Sequence, residues 1–227
     1  MARSVLRSLQ SIRCLRGEYS GAVSRRLNIF TAYPNILLKS TSEARIYGMV
    51  NEGVRTFVIK KFGKDAWETI RLDAGIDTSQ FDRMHAYDDA ITCDLVAAVA
   101  KHRDMAQGEV LSVFGEYWVG YAGNSGLGNL LSLSGRNFVE RVQNLDDMHD
   151  RKMMAMPGLK PPSFEIVELD QSIFELSYYS VRPGLTPMVI GLLHGLAAQT
   201  NEKISVELTS ARSSANAPDL FRIELLA

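Results

Sequence analysis

Four histidines and two cysteines are the side chains of this 227-residue sequence best suited to holding a metal or attacking a substrate. Cys14 and Cys93 lie far apart and match neither a disulfide framework nor a paired-thiol site, which fits a reducing compartment. No Gly-x-Ser-x-Gly elbow, His-Glu-x-x-His helix or Cys-x-x-Cys pair occurs, so hydrolase and zinc chemistry have no support. His102-Arg103-Asp104 and Val58-Ile59-Lys60 resemble kinase fragments, but a Gly-rich phosphate loop and an Asp-Phe-Gly triplet are missing. The Gly123, Gly126 and Gly128 cluster lacks the Lys-Ser/Thr of a phosphate loop and reads as a connection between helices. Met153, Met154 and Met156 read as gap fillers rather than soft-metal ligands, and His85, His102 and His194 as surface or hydrogen-bonded histidines.

His149 is different. Phe138, Val142, Leu145 and His149 follow one another at steps of four, three and four, which puts the imidazole on the apolar face of a helix starting near Asn137. A histidine in that position is either a hydrogen-bonded core residue or a ligand, and spacing alone leaves both open. Farther on, Tyr178, Ser180 and Arg182 alternate. On a strand they would share one face at ~6.5 Å intervals, and two hydroxyls beside a guanidinium suit a carboxylate; an ordinary exposed strand face is the alternative.

The elements that would hold these residues change character along the chain. Val50, Val54, Val58 and Ile59 recur at helical spacing in a segment without proline. Asp88 or Asp89 can cap a helix through Ile91, Leu95 and Val99, and Val110, Leu111, Phe114 and Trp118 form the stripe of another. Pro157 to Pro162 forces a turn after the helix of His149. A hairpin around Asp170-Gln171, a helix over 185–200 with Met188, Leu192 and Leu196 inward, and strands at 204–209 and 220–226 then follow. The expectation is an α+β fold, helical first, with an antiparallel sheet and helices in its second part.

Charge divides the chain unevenly. Eight basic and two acidic residues leave residues 1–45 at +6, whereas seventeen and twenty-four leave the rest at −7. An acidic body argues against nucleic-acid binding, and no apolar run is long enough to span a bilayer, which argues for a soluble chain without membrane anchoring. Residues 1–45 read as a basic extension, either a disordered or misassigned segment or an organellar transit peptide, ahead of a domain at 46–227. A cytoplasmic location is expected, or an organellar one if the extension is a transit peptide.

The run Gln143-Asn144-Leu145-Asp146-Asp147-Met148-His149-Asp150-Arg151, with Pro161-Pro162-Ser163-Phe164 and Tyr178-x-Ser180-x-Arg182 after it, resembles the H-NOX family. These are haem nitric oxide/oxygen-binding domains found in bacteria and at the start of soluble guanylate cyclase subunits. The resemblance begins at Tyr47-Gly48-Met49-Val50-Asn51 and includes Phe62-Gly63-x-x-x-Trp67-Glu68, Tyr87-Asp88-Asp89, Leu95-Val96-Ala97-Ala98 and Phe114-Gly115-Glu116-Tyr117-Trp118.

It implies a haem b held between the two parts of the fold, with His149 as proximal iron ligand, Pro162 pressing on the macrocycle, and Tyr178, Ser180 and Arg182 clasping the propionates. Val50, Val54, Met188 and Trp118 would face the gas. Met188 stands where oxygen-holding relatives carry a hydrogen-bonding tyrosine, which implies selectivity for nitric oxide, with carbon monoxide as a further ligand. The indole N–H of Trp118 is the one candidate donor against that reading. A sensor without enzymatic activity is expected, signalling to a separate protein such as a histidine kinase or a cyclic-di-GMP enzyme. The alternatives are an oxygen-binding or redox-active haem protein, a haem enzyme, and an interaction module without haem.

Overall fold

Apolar residues at helical spacing form seven helices among residues 45–123, 135–156 and 158–227, the parts of the chain that the computed structural model describes. Residues 1–44 fall outside them, and so do Cys14, Gly126, Gly128 and Pro157, on which sequence expectations rest.

The first part is helical, as expected. Strand β1 (Arg45–Tyr47) leads into α1 (Gly48–Phe62), and α2 (Lys64–Asp73) follows after Gly63, whose φ of 94° favours glycine. Strand β2 (Ala86–Asp88) pairs antiparallel with β1, Ile46 opposite Tyr87. Asp88 then caps α3 (Asp89–Arg103), its carboxylate accepting from the Ala90 N–H at 2.8 Å. Helix α4 (Gln107–Gly123) completes the group. Phe57, Val58, Trp67, Ile70, Leu95, Val99, Leu111 and Phe114 are buried together, and each stabilises the packing by about 1.5–3 kcal/mol relative to exposure.

The helix expected from Asn137 onward is two: α5 (Phe138–Gln143) and α6 (Leu145–Ala155), with Asn144 between them at φ −93° and ψ 5°. Asparagine's tendency to bond nearby backbone disfavours helix interiors, which suits it to this junction. Asn137 does cap α5, accepting from the Glu140 N–H at 2.8 Å.

A four-stranded antiparallel sheet fills the second part, in the order β3 (Ser163–Asp170), β4 (Ile173–Tyr179), β6 (Asp219–Leu226), β5 (Lys203–Ser210). Its alternation is clear: Phe174, Leu176 and Tyr178 on β4, Phe221 and Ile223 on β6, and Ile204 and Val206 on β5 all point to the buried face. Helix α7 (Thr186–Gln199) crosses between β4 and β5 and lies tightly along α4. A Cβ at Gly115 would overlap the Met188 carbonyl, and one at Gly191 the Ser112 carbonyl, so both glycines are required by close backbone approach.

One expectation fails in detail. β4 stops at Tyr179, so Ser180 and Arg182 sit in the following turn and not on a strand with Tyr178. Pro183 cannot donate to a ladder, and Gly184 at φ 83° turns the chain toward α7.

Candidate functional site

Between the helices and the sheet lies a cavity of about 200 Å³. Its wall draws on α1 through Met49 and Val50, on α3 through Asp89, Thr92 and Cys93, on α4 through Phe114 and Trp118, and on α7 through Met188 and Leu192. The opposite wall is built by Met148, His149 and Lys152 of α6, then Pro161, Pro162 and Phe164, with Tyr178, Ser180 and Arg182 at one side. Of the residues the sequence singles out, His149, Pro162, Tyr178, Ser180, Arg182, Val50, Trp118 and Met188 all meet here. Val54 does not: it is 2% exposed and packs into the helical core with Phe57 and Val58, one turn beyond the cavity wall.

His149 has the properties of a ligand. Its side chain is 16% exposed, and its Nδ1 is buried without a hydrogen-bond partner; the nearest carboxylate, Asp146, is 4.0 Å away. Burial foremost, then the Lys152 charge, pushes the imidazole down to about 4, while Asp146, the Pro162 carbonyl and Asp150 pull the other way. At neutral pH the ring is therefore uncharged, the form in which histidine binds metals. Asp146 is itself engaged, accepting from Ser163 Oγ at 2.6 Å and the Phe164 N–H at 3.1 Å, and so joins α6 to the start of β3.

Arg182 ties the site together. Its Nε donates to Asp89 Oδ2 at 2.7 Å, Nη1 to the Lys160 carbonyl at 2.9 Å and Nη2 to the Arg45 carbonyl at 2.8 Å. A guanidinium carries about five N–H donors, so roughly two remain for a further acceptor. The Arg182 N–H also donates to Ser180 Oγ at 3.1 Å, while Arg212 Nη1 donates to the Ser180 carbonyl. Tyr178 is 3% exposed; burial pushes its phenol up to about 12, and its side-chain hydrogen bond with Ser180 acts in the opposite direction. A buried phenol, a hydroxyl and a partly committed guanidinium are a donor set for carboxylates.

Elsewhere the wall is apolar. Trp118 stacks obliquely on Phe114 and Tyr121 with centroids 5.8 and 5.6 Å apart. Thr92 turns its hydroxyl to Asn51 Oδ1 at 2.5 Å and so presents little free polarity. Cys93 is held protonated, its thiol raised to about 11 mainly by burial and then by Asp89. The three other histidines lie off the cavity wall, His85 and His102 exposed and His194 half-buried on α7.

Among the wall residues outside the sequence expectations for the site, two are buried and charged. Lys152 follows His149 by three positions, so helical spacing could have found it on the same face. Asp89 reads in the sequence as a possible cap and as part of the Tyr87-Asp88-Asp89 motif; its pairing with a residue 93 positions away has no local signal.

A deep, mostly apolar cavity with a neutral imidazole on its wall, its Nδ1 without a hydrogen-bond partner, and hydrogen-bond donors suited to carboxylates at its side fits an iron porphyrin. Comparisons agree. The family model for haem-NO-binding proteins matches residues 47–208. Soluble guanylate cyclase gcy-32 of Caenorhabditis elegans is 26% identical over 155 residues, covering 67% of this chain but 23% of the cyclase. Soluble guanylate cyclase 89Db of Drosophila melanogaster is 23% identical over 154 residues, covering 68% of this chain and 23% of that protein. The chain thus spans about a quarter of the length of the curated relatives it matches. Among solved structures, an H-NOX protein from S. oneidensis in the Fe(II)NO state aligns with a TM-score of 0.71 at 17% identity, covering 80% of this chain and all of that one. A mutant of T. tengcongensis H-NOX aligns at 0.70 and 18% identity, covering 79% and 97%. Because the family match runs through every helix of the described residues and both sides of the cavity, the chain belongs to the haem-NO-binding, or H-NOX, family, whose domains bind haem.

Proposed function

We propose that this chain is a haem-dependent gas sensor that takes up nitric oxide and passes the signal to a separate protein. The observation that carries the reading is His149, a neutral imidazole on the cavity wall whose buried Nδ1 has no partner. When bound, a haem b would supply a ferrous iron able to take a diatomic gas.

The chain's own residues do the rest. His149 offers a nitrogen without first having to lose a proton, because burial has already removed its charge. Tyr178, Ser180 and the remaining N–H groups of Arg182 would meet the haem carboxylates, and Pro162 would pack on the ring face on the His149 side. Val50 and Met188 bring no hydrogen-bond donor to the gas-facing wall, where the Trp118 indole is the one candidate donor; that largely apolar surface suits nitric oxide and carbon monoxide and gives little help to oxygen, whose bound form gains from a donor. The carboxylate on that wall, Asp89, is paired with Arg182.

Movement of His149 would be felt along α6. Asp146 holds that helix to β3 from one side, and Met153 and Met154, 37% and 79% exposed, continue it to the surface. A partner seated there, such as a histidine kinase or a cyclic-di-GMP enzyme, would read a shift of α6 as a change of surface.

An absorption spectrum tests the proposal. Purified protein is expected to show a Soret band that moves on reduction with dithionite and again on adding nitric oxide. Protein expressed with ample haem yet lacking any Soret band would overturn it in favour of a module without cofactor.

A further inference from the structure

Lys152 is the unexpected feature of the cavity. It is 7% exposed, it forms part of the cavity wall, and it follows His149 by three positions on α6, so both side chains leave the same helical face. No hydrogen bond or ion pair engages its ammonium among the described residues. The Asp146 carboxylate accepts from Ser163 and Phe164, and Asp89 is charge-paired with Arg182 through Oδ2. Burial with nothing to offset it holds the amine below its ordinary range.

An uncompensated buried cation is unfavourable unless something that enters the cavity gains from it. Arg182 brings no excess positive charge, because Asp89 lies against it at 2.7 Å. Lys160 also borders the cavity but is exposed, so Lys152 is the buried unbalanced charge of the wall among the described residues, and it stands on the side of His149.

We propose that Lys152 sets the redox balance of the bound haem, its ammonium favouring the ferrous over the ferric form and so keeping the protein in the state that takes up gas. The inference rests on the haem-binding reading above. In the step concerned, ferric iron accepts one electron from an external reductant and becomes ferrous; no bond forms or breaks and no proton is required. A fixed positive charge in a poorly screened cavity opposes the extra positive charge of the ferric state, and the interior transmits that effect far better than water.

Spectroelectrochemical titration of the haem-loaded full chain, with dithionite as reductant, tests this. Lys152→Met keeps the unbranched stem and removes the charge, and it is expected to lower the midpoint potential. Lys152→Arg keeps the charge and should restore the wild-type value, which a purely structural role for the lysine stem would not require. Lys203→Met removes an exposed charge of β5 outside the cavity wall and should leave the potential unchanged. If Lys152→Met is insoluble, Lys152→Gln carries the same expectation. A normal Soret band with an unaltered potential in the neutral variants would overturn the inference while leaving haem binding intact, as would an equal drop in Lys152→Arg. Absence of a Soret band in the wild type would overturn both.

Discussion

Arg182 Nε meets Asp89 Oδ2 at 2.7 Å, joining the turn after β4 to the first residue of α3 across 93 positions of sequence. The pair is well buried, with side chains 14% and 7% exposed, and Asp89 Oδ1 has no hydrogen-bond partner. Arg182→Ala should therefore strand a buried carboxylate and two main-chain carbonyls. The expected loss of stability is about 3 kcal/mol or more, the usual result of removing one member of a buried pair. Asp89→Asn keeps an acceptor for the guanidinium and should lose less. Thermal or urea unfolding of the three proteins measures the order, and Arg182→Ala melting like wild type would show the pair to be dispensable. Haem retention should also fall further in Arg182→Ala than in Ser180→Ala, because the first variant would lose both the proposed clasp and its scaffold.

His149→Gly should fail to keep haem unless imidazole is supplied. Truncation leaves a space in the wall between Met148, Lys152 and Phe164 that a free imidazole can fill. Spectra taken with and without added imidazole check this, and full haem retention without it would remove His149 from the role proposed.

Much of the site is legible in the sequence. Helical spacing puts His149 on a buried face, and the break at Asn144 does not disturb that, because Leu145 and His149 remain four apart within α6. Alternation identifies the buried face of the sheet. Three things are hidden. Strands β1 and β2 are three residues each, too short for a period to register. Helix α2 has two buried residues, Trp67 and Ile70, and so little apolar stripe to see. The turn that takes Ser180 and Arg182 off the strand could have been suspected from Pro183-Gly184. The partners of Arg182 come from β1, α3 and the segment before β3, and contacts of that range are set by the whole fold.

Acid should weaken the haem-free protein in a way that depends on His149. Its folded imidazole titrates at about 4, mainly because it is buried and secondarily because of Lys152, whereas an unfolded histidine titrates near its ordinary value of 6.5. Between these values the unfolded state binds the proton and the folded state does not. The stabilisation is thus complete above about 6.5 and disappears as pH falls toward 4, on the order of 3 kcal/mol at most. Unfolding of wild type and His149→Phe should be compared over that window, both without haem. Parallel stability curves would show that the ring is not held neutral.

The start of the domain can be tested by shortening. Arg45 and Ile46 pair with Asp88 and Tyr87, and the Arg45 carbonyl accepts from Arg182, so the fold includes the last residue of the expected extension. A chain beginning at Arg45 should unfold at the same temperature as the full chain. One beginning at Gly48 loses β1 and an acceptor of Arg182, and it should melt several degrees lower, as a loss of about 1–2 kcal/mol implies. Equal melting of both would mean that β1 contributes nothing.

Gas selectivity turns on the wall opposite His149. Val50 and Met188 reach the cavity and carry no hydrogen-bond donor, whereas Trp118 reaches it with an indole whose N–H has no partner among the described residues. Two outcomes separate these contributions. If the apolar character of the wall dominates, reduced protein in air should show no persistent oxygen-bound spectrum, and nitric oxide should shift the Soret band at once. Met188→Tyr adds a phenol to the α7 side of the wall and should raise oxygen affinity, by at most about tenfold, since a neutral hydrogen bond is worth ~0.5–1.5 kcal/mol. Trp118→Phe removes the remaining donor with little change in packing against Phe114 and should leave the air spectrum as it was. Should wild type hold oxygen stably and Trp118→Phe release it, the indole is the donor, and the nitric oxide selectivity proposed for this chain is wrong.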